Sequence, residues 1–452
     1  MMLGARDDDG QGIVILGGGL AGLTASLYTG APVYEAETDC GGVSASDHCG
    51  GFSFDRGIHV LETTNTHIVE MLEELGVEFA AIERTAHIYA FGKYTAYPFQ
   101  INSTNLPVDR RIHCVWSFLR RHTNPEPTNY AEWIYRTIGR GFGDTFMIPY
   151  SEKFWGVHPR EMSFEWTGNR VPKSNLKQVL RGAIISRNTR VGANASFRYP
   201  KGKEGYGALP NALRRCVADR LHTSHRATHI DTERKQVVFN NRSMRDYEVL
   251  ISTIPLSSLA QIATAMPDRV SQAIGCLRTN SVMVVGLGVA SADLGGNKHW
   301  VHFPEKHISF YRISFPSNFS RAMAPPGMSS VAAEVSYPSG FPPDREALTE
   351  RVIDDLIKVG VLRSKDRNRI VVRHTHDIPH GYCIYDEARR RALPVIRNWL
   401  REVDIVPSGR YGLWTYFWSH EAMLSGKKAA QLAAARAAGL PEPELETHEL
   451  EA

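Results

Sequence analysis

The sequence lacks an excess of either charge: Lys+Arg 52 against Asp+Glu 48 leaves +4 over 452 residues. So small a balance excludes the electrostatic footprint of a nucleic-acid binder, and no nucleic-acid partner is expected. Cysteine is scarce. Cys40, Cys49, Cys114, Cys216, Cys276 and Cys383 form no C-x-x-C pair, which argues against zinc knuckles and thioredoxin-type chemistry. Reduced thiols in a cytoplasmic protein are expected instead. No run approaches about 18 consecutive apolar residues, so neither a membrane span nor a membrane partner is expected. No secretory leader is read, because Arg6 and Asp7-Asp8-Asp9 precede the first apolar run. Without export, the Asn-x-Ser/Thr triplets at Asn102, Asn194, Asn241 and Asn318 are chance matches. Internal repeats, a Walker loop, a G-x-S-x-G elbow and an H-E-x-x-H helix are also missing. His374, His376 and His380 have no carboxylate or cysteine at ligand spacing, so no metal is expected.

What is present is ordinary globular material, 42% hydrophobic and 22% charged. The length suggests about three lobes. Ile13–Leu16 reads as a buried strand, Leu23–Tyr28 as the start of a helix, and Pro32–Glu35 as a second strand. Helical spacing follows at 64–78, a strand pair at 81–103, and mainly helical sequence with apolar and basic faces at 109–190, marked by Trp116, Leu119, Trp133, Ile134 and Ile138. Strands are expected at 236–239, 249–252, 281–289, 307–315, 330–336 and 370–376. Helices are expected after Pro255, at 346–358, and at 424–438 before Gly439 and Pro441. Arg389-Arg390-Arg391 reads as a solvated helix face.

Gly17-x-Gly19-x-x-Gly22 lies between the first strand and its helix. The three glycines serve a tight turn, backbone approach to a pyrophosphate, and helix–sheet packing. The helix start offers free N–H groups to phosphate. Glu35 ends the second strand, 18 residues after Gly17, where an acid accepts from ribose hydroxyls. Together these predict a dinucleotide site.

Gly41-Gly42, six residues beyond Glu35, extends this fingerprint, with Val43 next in line. The extension resembles that of the FAD-containing superfamily of amine oxidases, protoporphyrinogen oxidases and sugar-nucleotide mutases. Gly409-Arg410-Tyr411-Gly412, followed by Trp414, Tyr416 and Ser425–Ala430, resembles that superfamily's last FAD segment. There a helix start faces the flavin and its dipole stabilises negative charge.

Four further segments resemble UDP-galactopyranose mutases. They are Phe54–Val60 with His59; Tyr97-Pro98-Phe99-Gln100; Pro149–Gly156 with Trp166-x-x-Asn169-Arg170; and Trp300–Glu305 with Phe310-Tyr311-Arg312. Ile58 stands where the family has a second glycine, and His302 where it usually has tyrosine. The resemblance implies an α/β fold: a Rossmann-type FAD-binding domain (11–62, 190–260 and 405–440), a helical insert (104–189), a mixed and antiparallel sheet substrate domain (63–103 and 261–404), and an acidic tail (441–452). It implies FAD on Gly17, Gly19, Gly22, Glu35, Gly41, Gly42, His59 and Arg410. It implies a UDP-sugar on Tyr97, Phe99, Gln100, Arg170, His302, Arg312, Tyr382 and Tyr416, with His59, Arg170 and Arg312 as catalytic residues. The implied reaction interconverts pyranose and furanose forms of a UDP-sugar by attack of reduced FAD N5 on the anomeric carbon. An external reductant, NAD(P)H or a flavin reductase, is then a partner. The alternative is an FAD-dependent oxidase or desaturase.

Overall fold

The computed structural model describes residues 12–121, 124–168, 170–185 and 195–443. The polar leader 1–10, Asn169, Asn194, the boundary at 190 and the tail from 444 lie outside them. The fold is α/β, with a five-stranded parallel sheet, a seven-stranded mostly antiparallel sheet and three smaller antiparallel ones among the described residues.

The parallel sheet runs in the order Ile405–Pro407, Val249–Ser252, Ile13–Leu16, Val33–Tyr34 and Leu221–His222. Ile13–Leu16 is buried at every position, as a central parallel strand covered on both faces must be. Ile13, Ile15 and Val33 face helix Leu20–Thr29 and the closing helix Ser419–Ala437 through Ala25, Ala429 and Ala433. Val14, Leu16 and Leu250 face a three-stranded antiparallel layer through Ile230 and Val237, and helix Glu387–Glu402 through Ile396. Helix Leu20–Thr29 stops at Gly30, which is left-handed at φ 75°.

The larger sheet runs Ile370–Ile378, Asn280–Val289, Ser329–Pro338, Arg312–Ser314, Trp300–His302, Ala86–Ala90 and Lys93–Ala96. All neighbours are antiparallel except Trp300–His302 beside Ala86–Ala90. One face packs on helix Arg345–Lys358. The other packs on a helical lobe built from Val108–Leu119, Tyr130–Phe142, Ile148–Trp155 and Leu176–Ile184. Gly286 and Gly288 of the long central strand lie under the rings of Phe54 and Phe52, where any Cβ would collide. That close approach seats the hairpin Ser46–Cys49/Phe52–Asp55 on the sheet and delivers the chain at 56–60 to the gap between sheet and parallel layer.

Two expectations change. The strand expected at 307–315 is only Arg312–Ser314. The half-buried Lys153 Nζ donates to the carbonyls of Phe303, Glu305 and Phe310 at 2.9, 3.0 and 2.7 Å, and so draws 303–310 into a loop. Arg390 and Arg391 are solvated, but Arg389 is buried. Its guanidinium stacks on Tyr385 at 3.9 Å and donates to the Trp414 carbonyl at 2.8 Å. No described helix is long and apolar enough to cross a membrane.

Candidate active site

Two cavities meet between the layers. The larger, about 780 Å³, is lined by Gly17, Gly19, Glu35, Gly41, Gly42, His59 and Arg410. Gly22 stands behind it, where a Cβ would strike the Gly17 carbonyl oxygen, so it serves helix–strand packing. Around Gly19 nothing lies within 4 Å of a would-be Cβ. That empty cradle opens at the start of helix Leu20–Thr29, which no described side chain caps. Glu35 accepts from the Gly18 and Glu37 amides at 2.6 and 2.9 Å, one on each oxygen, and each oxygen keeps a lone pair. An open cradle, an uncapped helix start and a ribose-competent acid fit a dinucleotide such as FAD.

The smaller cavity, about 250 Å³, shares His59, Arg410, Trp418 and Ser419 with the first. Tyr97, Arg170, His302, Arg312, Tyr382 and Tyr416 line it. The structure therefore brings together all but two of the side chains expected on the substrate.

His59 sits where the cavities join. Its loop is fixed by the buried Asp55 carboxylate, which accepts from Ser46 Oγ, Tyr199 Oη and the Tyr206 amide at 2.7, 2.5 and 2.9 Å. The Tyr206 ring stacks on His59 at 5.3 Å, and its hydroxyl bonds Ser419 at the closing helix. Burial, helped by the Arg410 charge, pulls the His59 pKa down to about 4. The folded ring therefore stays neutral where an unfolded histidine, near 6.5, takes up a proton. Stability should fall as pH drops from about 6.5 toward 4, and be unaffected by this group above about pH 7.5. His59→Gln should lose less stability than wild type across that window, in urea midpoints taken at pH 7.5 and 4.5. Parallel curves would mean that the ring titrates normally.

Arg312 and Arg170 are each held by an acid, fully buried for Arg312 and partly buried for Arg170. Arg312 Nε and Nη2 donate to Glu334 at 3.2 and 2.7 Å. Glu334 also accepts from the Ile58 amide at 2.9 Å and from the Tyr311 hydroxyl. Arg170 Nη2 donates to both Glu421 oxygens at 2.7 and 2.9 Å and to the Tyr416 carbonyl at 3.2 Å. Its Nε is buried without a partner among the described residues. Burial raises the Glu421 pKa, while the Arg170 charge opposes the rise. Arg410 lies over the Tyr382 and Tyr416 rings at 5.7 and 5.5 Å and donates to the Phe417 carbonyl at 2.6 Å.

His302 is on the wall with both nitrogens engaged. Its Nε2 takes the Trp300 indole N–H at 3.1 Å, and its Nδ1 bonds Tyr150 Oη at 3.0 Å. Burial drives its pKa well down.

Phe99 and Gln100 are not in either cavity. Phe99 packs against Phe142 and Phe146 at 6.0 and 5.5 Å in the helical-lobe core. The Gln100 amide donates to the Pro172 carbonyl and Ser174 Oγ at 3.0 and 3.2 Å. The reason is local: Phe99–Ile101 is a 3-10 turn, which swings both side chains inward while Tyr97 stays on the wall. Phe99→Ala should accordingly destabilise the fold by about 3–5 kcal/mol, read as a lowered denaturation midpoint. A base-specific loss of uridine affinity at unchanged stability would return Phe99 to the site.

Glu334, Glu421 and Tyr150 are the residues that sequence reasoning did not assign. Glu334 had a signal, a single acid inside the apolar strand Ser329–Pro338. His374 and His376 do meet a carboxylate: both bond Asp47 Oδ2, at 2.9 and 3.0 Å, and Arg56 Nε reaches its other oxygen at 2.9 Å. This is a hydrogen-bonded cluster, and no metal-binding group is found among the described residues.

A family model described as flavin containing amine oxidoreductase matches residues 31–434. Among solved structures, a reduced UDP-galactopyranose mutase is 28% identical, with 98% of this chain and 97% of that chain covered and a TM-score of 0.89. A putative protoporphyrinogen oxidase from Exiguobacterium sp. 255-15 is 16% identical, with 96% and 100% covered and a TM-score of 0.72. A cyclohexylamine oxidase from Brevibacterium oxydans IH-35A is 16% identical, with 95% and 99% covered and a TM-score of 0.65. The last two show the fold alone.

Proposed function

The chain belongs to the flavin-containing amine oxidoreductase family, and from that premise we propose that it interconverts the pyranose and furanose forms of a UDP-sugar of the galactose type. The carrying observation is the convergence of Arg170, Arg312 and Arg410 with the hydroxyls of Tyr150, Tyr382 and Tyr416 in a cleft open to the dinucleotide cavity at His59. Guanidinium groups with N–H donors left over from their acid partners, beside phenol hydroxyls in a half-dry cleft, suit a diphosphate far better than an amine or a porphyrin.

Gly17, Gly19 and the uncapped helix start would hold the pyrophosphate of FAD, and Glu35 its ribose. Bound in its reduced form, FAD would supply the nucleophile that exchanges places with the diphosphate at the anomeric carbon. Arg170 and Arg312 hold the departing diphosphate close enough to return. Trp155, Tyr382 and Tyr416, with ring centres 5.6–5.7 Å apart, wall the sugar end and exclude water. The net change is isomerisation, so an external reductant is needed only to prime the cofactor.

The test is anaerobic incubation of the dithionite-reduced holoprotein with UDP-galactofuranose. Formation of UDP-galactopyranose without consumption of reductant is expected. In a parallel incubation of the oxidised holoprotein in air, oxygen uptake stoichiometric with product would overturn the reading in favour of an oxidase.

A further inference from the structure

The helical lobe turns an apolar face outward. On helix Val108–Leu119, Val108, Ile112, Trp116 and Leu119 follow one another at helical spacing, and Ile112 and Trp116 are 63% and 56% exposed. The adjoining helix Leu176–Ile184 carries Leu176, Leu180 and Ile184 four residues apart, with Ile184 78% exposed. These are not core faces left ajar. The inward sides are already filled by Cys114 and Phe118 on the first helix, and by Val179 on the second. Each helix is thus apolar on two sides, which a water-facing helix has no reason to be.

The rim of this face is basic. Arg120 lays its guanidinium on the Trp116 ring at 5.1 Å, and Lys177 and Arg181 border the second stripe, both exposed. The two helices hold a single acid, Asp109, set against Arg110, Arg111, Lys177 and Arg181. Asp109 itself lies 3.5 Å from Arg110. Charge decides what can cover such a face. A second copy docked on it by two-fold symmetry would set like charges against one another. An anionic lipid surface takes the apolar stripe at the acyl boundary while the long basic side chains reach up to phosphate.

We propose that this two-helix face docks the protein on the surface of an anionic lipid bilayer. No spanning helix is required. The absence of a long apolar run predicts no membrane partner, and this face departs from that expectation. The proposal is independent of the reaction assigned to the cleft.

The test is flotation of the full chain with phosphatidylcholine–phosphatidylglycerol vesicles and with phosphatidylcholine vesicles alone. The chain should float with the anionic vesicles, progressively less as salt is raised, and poorly with the neutral ones. Ile112→Ser/Trp116→Ser, at exposed positions, should lower the bound fraction by at least about tenfold with circular dichroism unchanged. Lys177→Gln/Arg181→Gln should abolish the preference for anionic lipid. Failure of the wild-type chain to float, or equal flotation of the serine variant, would overturn the proposal. So would a dimer in solution that the serine variant dissolves, because the face would then belong to a second copy.

Discussion

Arg312→Ala is expected to weaken UDP binding by about 2–5 kcal/mol, roughly 30- to 4,000-fold in affinity. The same change should also unsettle the fold, because Arg312 and Glu334 form a fork-to-fork pair at 3.2 and 2.7 Å. Glu334 is 2% exposed. Without the guanidinium, its carboxylate keeps only the Ile58 amide and the Tyr311 hydroxyl. Stranding one member of a buried ion pair costs about 3–5 kcal/mol. The two losses can be separated. Arg312→Met/Glu334→Met replaces the pair by apolar side chains of similar bulk and should recover stability, yet leave UDP affinity as poor as in the alanine variant. Arg312→Lys keeps the charge but not the planar fork, so it should fall between. Calorimetric titration with UDP and chemical denaturation read the two quantities. A stable methionine double variant that binds UDP normally would remove Arg312 from the site.

Gly19→Val should yield a folded protein that does not retain flavin. The backbone at Gly19 is extended, at φ −78° and ψ −179°, which valine adopts without strain. A Cβ there meets nothing within 4 Å. The new methyls would enter the space into which the pyrophosphate has to fit. Overpacking of about 1–3 kcal/mol translates to roughly 5- to 150-fold in flavin affinity. Absorbance of the purified protein in the visible, together with flavin titration of the apo form, measures it. Gly22→Val is the contrast: its side chain would collide with the Gly17 carbonyl, so it should fail to fold rather than merely lose colour. Full flavin occupancy in Gly19→Val would place the pyrophosphate elsewhere.

What could be read in advance depended on how locally each feature is encoded. Gly17, Gly19 and Gly22 with Glu35 sit in one short stretch whose spacing dictates its own geometry, and the structure lines one cavity with Gly17, Gly19 and Glu35. Arg170, Arg312, Tyr382 and Tyr416 were legible only through family resemblance, since nothing in their spacing says they meet. Phe99 and Gln100 looked alike on that ground but went inward, because a 3-10 turn sets side-chain direction by a few backbone angles that composition does not reveal. Glu421 was beyond reach for another reason: its partner Arg170 is 251 residues away, and only the completed packing of the closing helix against the helical lobe joins them. The buried Arg389 shows the converse, a triple-arginine run whose first member is claimed by the Trp414 carbonyl.

The row Trp300–His302–Tyr150 has a polarity of its own. An indole can only donate, so His302 Nε2, which meets it at 3.1 Å, must be the bare nitrogen. A ring kept neutral by burial then carries its hydrogen on Nδ1 and gives it to Tyr150 Oη, 3.0 Å away. With its oxygen occupied as an acceptor, the phenol has to send its own hydrogen elsewhere, and the space it borders is the smaller cavity. Trp300, itself on the wall of that cavity, thereby selects the tautomer that leaves Tyr150 a committed donor toward the same space.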